Sequence, residues 1–342
     1  MYVYHLTNHE IFISLFLINP PYPHSNQILL LKMTISRYLR LNTGFRMPTL
    51  GFGTFTLKGD PLKEALDYAL FLGYRHIDTA SSYDNEKEIG QVLNDRVKAG
   101  KMNRKDVFIT TKVPSTHMRK ADAIESAHKS MENMSISYID MLLIHHPWAV
   151  SKTEETELKF EHVDILETWQ ALSALFKCGQ AASIGVSNFT VRQIERILSS
   201  SDVPPANVQL ECHAYFLQQR LKTFCDQNHI VVSAYAPLGA PNRPSRHVSS
   251  AENLLTDPLI VEIAKSYRKT PAQVLLNFLL RAGFVALPKS SKKERIKENL
   301  DTLNFTMTTK DYNRITSLDQ GLRFFRFLYM RGHPEFFEED DF

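Results

Sequence analysis

Four residues of this chain have the side-chain types that suit proton transfer to a carbonyl group: Asp78, Tyr83, Lys112 and His145. A phenol has a pKa of about 10 and is a weak acid at neutral pH, and an adjacent ammonium group lowers that pKa. A carboxylate paired with the same ammonium keeps it charged, and an imidazole can orient a substrate oxygen. Together the four groups suit donation of a proton to a carbonyl that receives a hydride.

The positions of these residues along the chain support a shared role. Asp78, Lys112 and His145 each lie at or just past the end of a short apolar run that is typical of a strand, and Tyr83 follows Asp78 in a loop. In a (β/α)8 barrel the catalytic groups stand at the C-terminal ends of the strands. Each residue alone has an ordinary structural explanation, so the prediction depends on their joint placement.

Strand-like and helix-like patterns alternate from about Leu50 to Leu303 and indicate the fold. Eight short runs read as strands: 49–52, 75–78, 108–113, 141–145, 183–186, 208–211, 230–235 and 284–287. Strands that alternate with helices form a parallel sheet, and eight such units close into a (β/α)8, or TIM, barrel.

Capping residues predict the helix boundaries. Three helix starts place a capping side chain before a first-turn proline: Asp60-Pro61, Asp257-Pro258 and Thr270-Pro271. Four glycines stand where helices are expected to end: Gly73, Gly100, Gly179 and Gly283.

Length and charge favour one catalytic domain over residues 33–342. The chain has 342 residues and a net charge of +3, and a (β/α)8 barrel takes about 250 residues before insertions. The balanced charge gives no electrostatic footprint for nucleic acid or a membrane surface. The cysteines, Cys178, Cys212 and Cys225, lack any C-x-x-C or metal-ligand spacing, which favours a reducing compartment and therefore the cytoplasm.

Residues 1–32 stand apart from the barrel pattern. Their apolar run, 11–18, is too short to span a bilayer. A signal peptide is disfavoured because the residues before the run include Glu10 and contain no Lys or Arg. No clear small-residue cleavage site follows the run. We predict that residues 1–32 are a disordered or non-native extension and that Met33 is the natural start.

Eight ordered segments resemble the aldo-keto reductase family, in its aldose- and aldehyde-reductase-like branch: 47–54, 75–80, 111–113, 143–145, 185–189, 209–213, 233–239 and 287–290. The resemblance covers roughly residues 36–342. It implies a barrel whose N-terminal mouth is plugged by a β-hairpin, residues 38–41 and 45–47. It also implies a monomeric, metal-free enzyme that reduces aldehydes and ketones with NADPH, with Tyr83 as the acid of the tetrad.

The cofactor site is predicted partly from the residues themselves. No G-x-G-x-x-G follows a strand, so a Rossmann domain is not indicated. Segment 289–295 follows the last strand and opens a helix, and its cationic and hydroxyl groups there suit a phosphate. The resemblance implies five adenosine-phosphate contacts, which favour NADPH over NADH: Lys289, Ser290, Arg295, Glu298 and Asn299.

The resemblance also implies where the nicotinamide and the substrate bind. Ser187, Asn188 and Gln209 would hold the carboxamide, and the Tyr235 ring would stack on the nicotinamide, so that orientation accounts for much of the catalysis. The other implied cofactor contacts are Gly53, Thr54, Asp78 and Leu238. The implied substrate contacts are Tyr83, His145, Phe55, His146 and Trp148.

Several positions depart from the family pattern. Phe55 and His146 stand where tryptophan is common, and Ser245 stands at the usual tryptophan of a long loop. Thr56 and Asn242 replace a lysine and an aspartate that help latch a loop over the pyrophosphate in relatives. We therefore expect a less aromatic pocket on those walls and a weaker latch.

Two long insertions and the C-terminal tail are expected to lie near the site. The insertions, 147–162 and 237–256, follow the strands of His145 and Tyr235, on the face where loops usually carry function. The tail 324–330 is densely aromatic. It either packs against the barrel wall or forms one side of an apolar substrate pocket.

Three other functions fit parts of the sequence. A metal-dependent barrel hydrolase would use His76, His145, His146 and His213, but no H-x-H pattern or clustered carboxylates accompany them. A cofactor-binding barrel with a structural or regulatory role would not need an intact tetrad. A carbon–carbon double-bond reductase of the same family would carry glutamate in place of His145.

Overall fold

A computed structural model of the chain describes residues 35–152, 158–241 and 253–337. The predicted extension, residues 1–32, lies outside the described residues, so its separation from the barrel domain stays a prediction.

The described residues contain a parallel eight-stranded sheet and two antiparallel hairpins. In chain order the strands are β1 (Tyr38–Arg40), β2 (Arg46–Pro48), β3 (Phe52–Gly53), β4 (His76–Asp78), β5 (Phe108–Val113), β6 (Met141–Ile144), β7 (Ala149–Lys152), β8 (Leu158–Glu161), β9 (Ile184–Ser187), β10 (Asn207–Glu211), β11 (Val231–Tyr235) and β12 (Val285–Ala286). Each of the eight parallel strands, β3–β6 and β9–β12, begins within three residues of the start of the corresponding predicted strand.

The parallel sheet closes on itself. Its strands are ordered β3-β4-β5-β6-β9-β10-β11-β12, and a parallel bridge joins Leu50 to Ala286. The Gly51 N–H donates to the Ala286 carbonyl at 2.9 Å, and the Ala286 N–H donates to the Thr49 carbonyl at 2.8 Å. These bonds satisfy both edges of the sheet, and the predicted (β/α)8 barrel is confirmed.

Helices follow the strands. They are α1 (Gly59–Leu72), α2 (Glu86–Lys98), α3 (Lys120–Met134), α4 (Ile165–Lys177), α5 (Val191–Ser200), α6 (Gln219–Gln227), α7 (Pro258–Tyr267), α8 (Pro271–Arg281), α9 (Lys293–Leu300) and α10 (Thr309–Thr316). Asp257 and Thr270 cap α7 and α8 as predicted, and Gly73 ends α1 with a left-handed φ of 107°. The predicted Asp60 cap is wrong: α1 begins at Gly59, so Asp60 lies inside the first turn.

The hairpin β1–β2 closes the N-terminal mouth of the barrel, as the resemblance implied. Its Leu41 and Met47 are buried in a cluster with Phe108 and Met141, the first residues of β5 and β6. The His76 side chain ties the hairpin to the barrel interior, because Nδ1 lies 3.2 Å from the Pro48 carbonyl and Nε2 lies 3.0 Å from Thr110 Oγ1. The opposite, C-terminal mouth is left for the site.

The insertion after β6 is more ordered than the prediction of a long loop. Its described residues form the antiparallel pair β7–β8, in which Ala149 lies opposite Glu161. Alternating side chains let one face of this hairpin bury Trp148 and Val150 against Met330 and Phe337 of the tail. In the second insertion, residues 242–252 lie outside the described residues. Among the helices described, none has the length and apolar character needed to cross a membrane.

Candidate active site

The predicted tetrad lies together at the C-terminal end of the barrel. Lys112 Nζ donates to Asp78 Oδ1 at 2.9 Å and to the Thr79 carbonyl at 2.7 Å, and it lies 3.5 Å from the Tyr83 hydroxyl oxygen. The Tyr83 and His145 rings meet edge to face with centroids 5.7 Å apart. A phenol, an ammonium, a carboxylate and an imidazole therefore surround one point of the barrel mouth.

Strand register explains this convergence. Strands β4 and β5 pair in parallel with Asp78 opposite Thr110, and Lys112 is two residues farther along β5. Residues two apart on a strand share a face, so the Lys112 side chain stands on the face that Asp78 occupies. His145 follows the last residue of β6, the next strand around the barrel, and its N–H donates to the Val113 carbonyl at 3.0 Å.

A contact across the barrel completes the charge network. Gln209, on β10, donates from Nε2 to Asp78 Oδ2 at 2.6 Å, while the other oxygen of Asp78 accepts from Lys112. Lys112 is 1% exposed and Asp78 is 5% exposed, so both charges are removed from water. Each carboxylate oxygen has a donor, which a buried ion pair requires.

The pKa of the Tyr83 phenol is shifted in the direction opposite to the expectation. Burial raises the pKa well above its ordinary value, and the negative charge of Asp78 raises it further. Burial also lowers the pKa of Lys112, against the opposing effect of Asp78. The nearby ammonium favours the phenolate, but desolvation favours the neutral forms of both groups and has the larger effect on Tyr83. The Tyr83 phenol is therefore protonated.

His145 is held as a neutral imidazole. Burial lowers its pKa well below the ordinary value, and His146 and Lys112 lower it further. Its Nδ1 lies 3.3 Å from the Ser82 hydroxyl, and its backbone carbonyl accepts from Asn188 Nδ2 at 3.0 Å. Neighbouring residues thus fix both the ring and the backbone of His145.

The residues predicted to hold the nicotinamide lie side by side. Asn188 directly follows β9 in a left-handed conformation, with a φ of 62°, which asparagine tolerates. Its Oδ1 accepts from the Tyr235 hydroxyl at 2.8 Å, and its Nδ2 donates to Ser187 Oγ at 3.2 Å. With Gln209 on the neighbouring strand β10, these groups supply the amide and hydroxyl donors and acceptors that a carboxamide needs.

The predicted phosphate site has cations that the protein does not use. Lys289 and Arg295 lie just before and inside the first turn of α9, and both are exposed. Across the described residues, no hydrogen bond or ion pair engages either head group. The side-chain amide of Asn299 is likewise unused, although that residue is only 5% exposed. Two free cations beside the N-terminus of α9, with the buried amide of Asn299 farther along the same helix, fit an anionic phosphate group.

The other predicted cofactor residues have structural contacts of their own. Thr54 Oγ1 donates to the Asp78 carbonyl at 2.9 Å, and the Gly53 N–H donates to the Pro288 carbonyl at 3.0 Å. Ser290 Oγ accepts from the Lys292 N–H at 3.0 Å. Leu238 packs on the barrel core. The Glu298 carboxylate takes part in no hydrogen bond among the described residues.

Aromatic and imidazole rings line one side of the tetrad. The Phe55 ring lies 5.0 Å from the Tyr83 ring, and Phe55 is 41% exposed. The His146 ring stacks between His145, at 4.4 Å, and Trp148, at 4.8 Å. Trp148 is only 2% exposed, so it supports His146 from behind. Three of the predicted substrate contacts, Phe55, His146 and Trp148, therefore lie on one side of the tetrad, and their contact with substrate stays a prediction.

The C-terminal tail packs against the barrel and also reaches the rings beside the tetrad. Phe324 is fully buried and stacks on His213 at 4.7 Å. Phe327 meets His146 edge to face at 5.1 Å and therefore extends the wall beside the tetrad. Ser82 and Glu211 were not predicted from the sequence, although Ser82 adjoins Tyr83 and Glu211 ends a strand. The departures at Ser245 and Asn242 lie outside the described residues.

Comparison with known proteins identifies the family. The model of the Aldo/keto reductase family matches residues 49–320. The chain belongs to the aldo-keto reductase family. It is similar to aldo-keto reductase family 1 member A1-A of Danio rerio, with 39% identity over 295 residues that cover 84% of this chain and 90% of the relative. Family membership makes this chain an oxidoreductase that acts on small carbonyl compounds, as predicted.

Solved structures of aldo-keto reductases share the fold. An aldose reductase from Schistosoma japonicum is 33% identical, covers 90% of this chain and 100% of its own, and has a TM-score of 0.83. A crystal structure of an aldo-keto reductase complexed with NADPH is 35% identical, covers 88% of this chain and 93% of its own, and has a TM-score of 0.82. The resemblance found in the sequence is confirmed over the whole barrel.

Proposed function

We propose that this aldo-keto reductase reduces aldehydes and ketones to alcohols, with Tyr83 as the acid that protonates the carbonyl oxygen. The observation that carries the proposal is the position of the Lys112 ammonium, 2.9 Å from Asp78 and 3.5 Å from the Tyr83 hydroxyl oxygen. A structural salt bridge would not need a phenol in that place. A double-bond reductase would lack His145, and the tetrad gives no support to a non-enzymatic barrel.

The cofactor is NADPH, as family membership and the NADPH-bound relative indicate. When bound, NADPH supplies the hydride that the carbonyl carbon receives. We assign its phosphates to Lys289, Ser290, Arg295, Glu298 and Asn299, because two of these side chains are free cations at one helix end. A 2′-phosphate would give Arg295 and Lys289 the anionic partner they lack within the described structure.

The nicotinamide end is assigned to Ser187, Asn188, Gln209 and Tyr235. Their hydrogen bonds to one another and to Asp78 hold the amide groups in place before any ligand arrives. A fixed donor and acceptor set orients a carboxamide at little entropic cost. Gly53, Thr54, Asp78 and Leu238 complete the predicted contacts at the strand ends.

Proton transfer follows from the charges around Tyr83. Its raised pKa keeps the phenol protonated, and the proton passes from the hydroxyl to the carbonyl oxygen as negative charge develops there. The phenolate that remains is stabilised by the Lys112 ammonium, which Asp78 holds in place. Lys112 therefore interacts more strongly with the negative charge that develops on the Tyr83 oxygen in the transition state than with the starting phenol, and this difference accelerates the step.

His145 orients the carbonyl. Because the ring is neutral, it has one N–H, and we assign that proton to Nε2 because the Ser82 hydroxyl can donate to Nδ1. The Nε2–H then donates to the same carbonyl oxygen that Tyr83 protonates. The oxygen is held between two donors, which fixes the orientation of the carbonyl group in the site.

The wall of the site favours carbonyl compounds with an apolar substituent. Phe55, His146 and Phe327 present ring faces or edges beside the tetrad, and Trp148 closes the wall behind His146. Aromatic rings gain both from area burial and from edge-to-face contact. We expect aromatic aldehydes to have lower KM values than aliphatic aldehydes of similar reactivity.

The proton-transfer role is tested with Tyr83→Phe, which removes the hydroxyl and keeps the ring. We expect kcat for 4-nitrobenzaldehyde with NADPH to fall by at least ~10²-fold, the lower range for a positioned acid. NADPH affinity, followed by fluorescence titration, should change little. Tyr68→Phe on α1 is the matched control and should behave as wild type. Turnover at a near wild-type rate in Tyr83→Phe would refute the assignment.

We further propose that the chain is a cytoplasmic monomer and that residues 1–32 are dispensable. The sparse cysteines support a reducing compartment, and the family resemblance supports a monomer. A chain that begins at Met33 should match the full chain in turnover and sediment at the mass of one copy. A dimeric mass, membrane-associated fractions or a large loss of turnover would contradict these assignments.

A further inference from the structure

A buried carboxylate that the mechanism does not use lies at the end of β10. Glu211 has no exposed surface, and it is two residues past Gln209 on the same strand. Its Oε1 accepts from the Phe324 N–H at 2.7 Å, and its Oε2 accepts from the Phe325 N–H at 2.9 Å. A barrel carboxylate thus binds two consecutive backbone amides of the C-terminal tail, more than 100 positions away in sequence.

Positively polarised groups keep this carboxylate charged. His213 Nε2 lies 2.9 Å from Glu211 Oε1, and Arg323 Nε lies 3.9 Å from Oε2. Burial alone would raise the pKa of Glu211, but the bonds from His213 and the backbone, with the charge of Arg323, hold it below the ordinary value. A charged acceptor makes stronger hydrogen bonds than a neutral one, so both tail amides are firmly held.

The tail around these amides is docked over several residues. We call residues 319–327 the C-terminal strap. The Leu217 N–H donates to Asp319 Oδ1 at 3.2 Å, and the Leu322 N–H donates to the Tyr215 carbonyl at 2.9 Å. The strap therefore runs along the loop that follows β10, and Glu211 is its innermost attachment.

The far end of the strap reaches the active site. Phe325 meets the Tyr235 ring edge to face, with centroids 5.8 Å apart and an interplanar angle of 81°. Phe327 meets the His146 ring at 5.1 Å and Trp148 at 5.5 Å. Only one residue separates the bound amide of Phe325 from Phe327. Greater mobility of the backbone at Phe325 would therefore make the Phe327 ring, in the wall of the substrate pocket, more mobile as well.

We infer that Glu211 is a positioning residue that fixes the strap so that Phe325 and Phe327 form a rigid wall against Tyr235 and His146. It thereby determines how well the enzyme binds carbonyl compounds whose apolar group extends past the tetrad. The inference rests on the proposed function of the site. This role of Glu211 differs from a purely structural one, because substitution of a core residue would change the kinetics of all substrates alike.

The chemistry of the anchor suggests the variant. A carboxylate offers two acceptor oxygens, whereas an amide offers one, so Glu211→Gln must leave one of the two strap amides without an acceptor. The side chain keeps its size and the site keeps its tetrad. Glu262→Gln is the matched control, because Glu262 on α7 has a 66% exposed side chain paired only with Arg314 among the described residues.

Two measurements test the inference on the full chain. Hydrogen exchange of at least one of the two strap amides, Phe324 or Phe325, should be about tenfold faster in Glu211→Gln, the factor expected for loss of a bond to a charged group. KM for 2-naphthaldehyde should rise about tenfold. For propanal, whose ethyl group is far smaller than a naphthyl ring, kcat should change less than twofold. Glu262→Gln should change none of these values.

The outcomes separate the alternatives. Unchanged exchange and unchanged KM would overturn the inference, and so would equal losses with both aldehydes. If Glu211→Gln does not fold, Phe327→Ala must show the same rise in KM for 2-naphthaldehyde, and an unchanged KM there overturns the inference. Failure of the wild-type chain to reduce either aldehyde would refute the proposed function instead, while the exchange result would still report on the anchor.

Discussion

Removal of the Lys112 ammonium should affect stability and catalysis together, because one buried ion pair serves both. In Lys112→Met the side chain keeps much of its length and loses its charge. Asp78 would then retain Gln209 as a donor but lose the ammonium at 2.9 Å. The Asp78 side chain is only 7% exposed, so water cannot replace the lost partner.

The magnitude follows from the burial of the pair. An uncompensated buried charge costs about 3–5 kcal/mol, against ~0–1 kcal/mol for an exposed ion pair. The melting temperature of Lys112→Met should fall by roughly 6–20 °C, since one kcal/mol shifts it by about 2–4 °C in domains of 150–250 residues. Turnover should fall at least ~10²-fold, because Tyr83 loses the group that stabilises its phenolate.

Two further variants identify the cause. Lys112→Met with Asp78→Asn removes both charges and leaves an oxygen for Gln209, so it should recover most of the lost stability while remaining inactive. Lys129→Met breaks an exposed pair with Glu132 on α3 and should lower stability by at most ~1 kcal/mol. Urea unfolding and single-turnover reduction measure the two effects separately.

The result that would refute this reasoning is a Lys112→Met protein as stable as the Lys129→Met control. It would mean that the carboxylate of Asp78 remains solvated after all. A double variant no more stable than Lys112→Met would assign the loss to packing of the lysine stem rather than to the unpaired charge.

Two other predictions concern the cofactor and the response to acid. Lys289→Ala with Arg295→Ala removes two charge-assisted bonds of ~1.5–3 kcal/mol each, so NADPH should bind far more weakly while NADH binding is retained. Parallel shifts in the dissociation constants of NADPH and NADH would place the phosphate site elsewhere. Burial lowers the pKa of His76 to about 4. Between pH 6.5 and 4 the unfolded chain binds a proton at His76 that the folded chain does not. The free energy of unfolding is therefore at its full value above pH 6.5 and decreases as the pH falls, by roughly 3 kcal/mol in total. Urea midpoints of His76→Gln should depend less steeply on pH than those of wild type, and equal slopes would contradict the shift.

Local sequence patterns were sufficient to predict the secondary-structure elements and to propose the four residues of the tetrad. Strand runs and proline-linked caps depend on neighbouring residues, so Asp257 and Thr270 were assigned correctly. Asp60 was not, because Gly59 adopts a left-handed conformation, with a φ of 57°, and the helix starts there, two residues before the predicted start at Pro61. Parallel strands also align their C-terminal ends, so the meeting of Asp78, Lys112 and His145 could be predicted without knowing their distances.

Closure of the barrel determined the contacts between distant residues, which local sequence patterns could not predict. The bond from Gln209 to Asp78 joins opposite sides of the barrel, and the bonds from Glu211 to the strap join a strand end to the tail. Neither pair has any sequence spacing that indicates contact. The sequence could also name the charges around Tyr83 but not how far distant segments exclude water from the phenol. Because desolvation depends on all surrounding atoms, the direction of the Tyr83 pKa shift was fixed only when the chain packed.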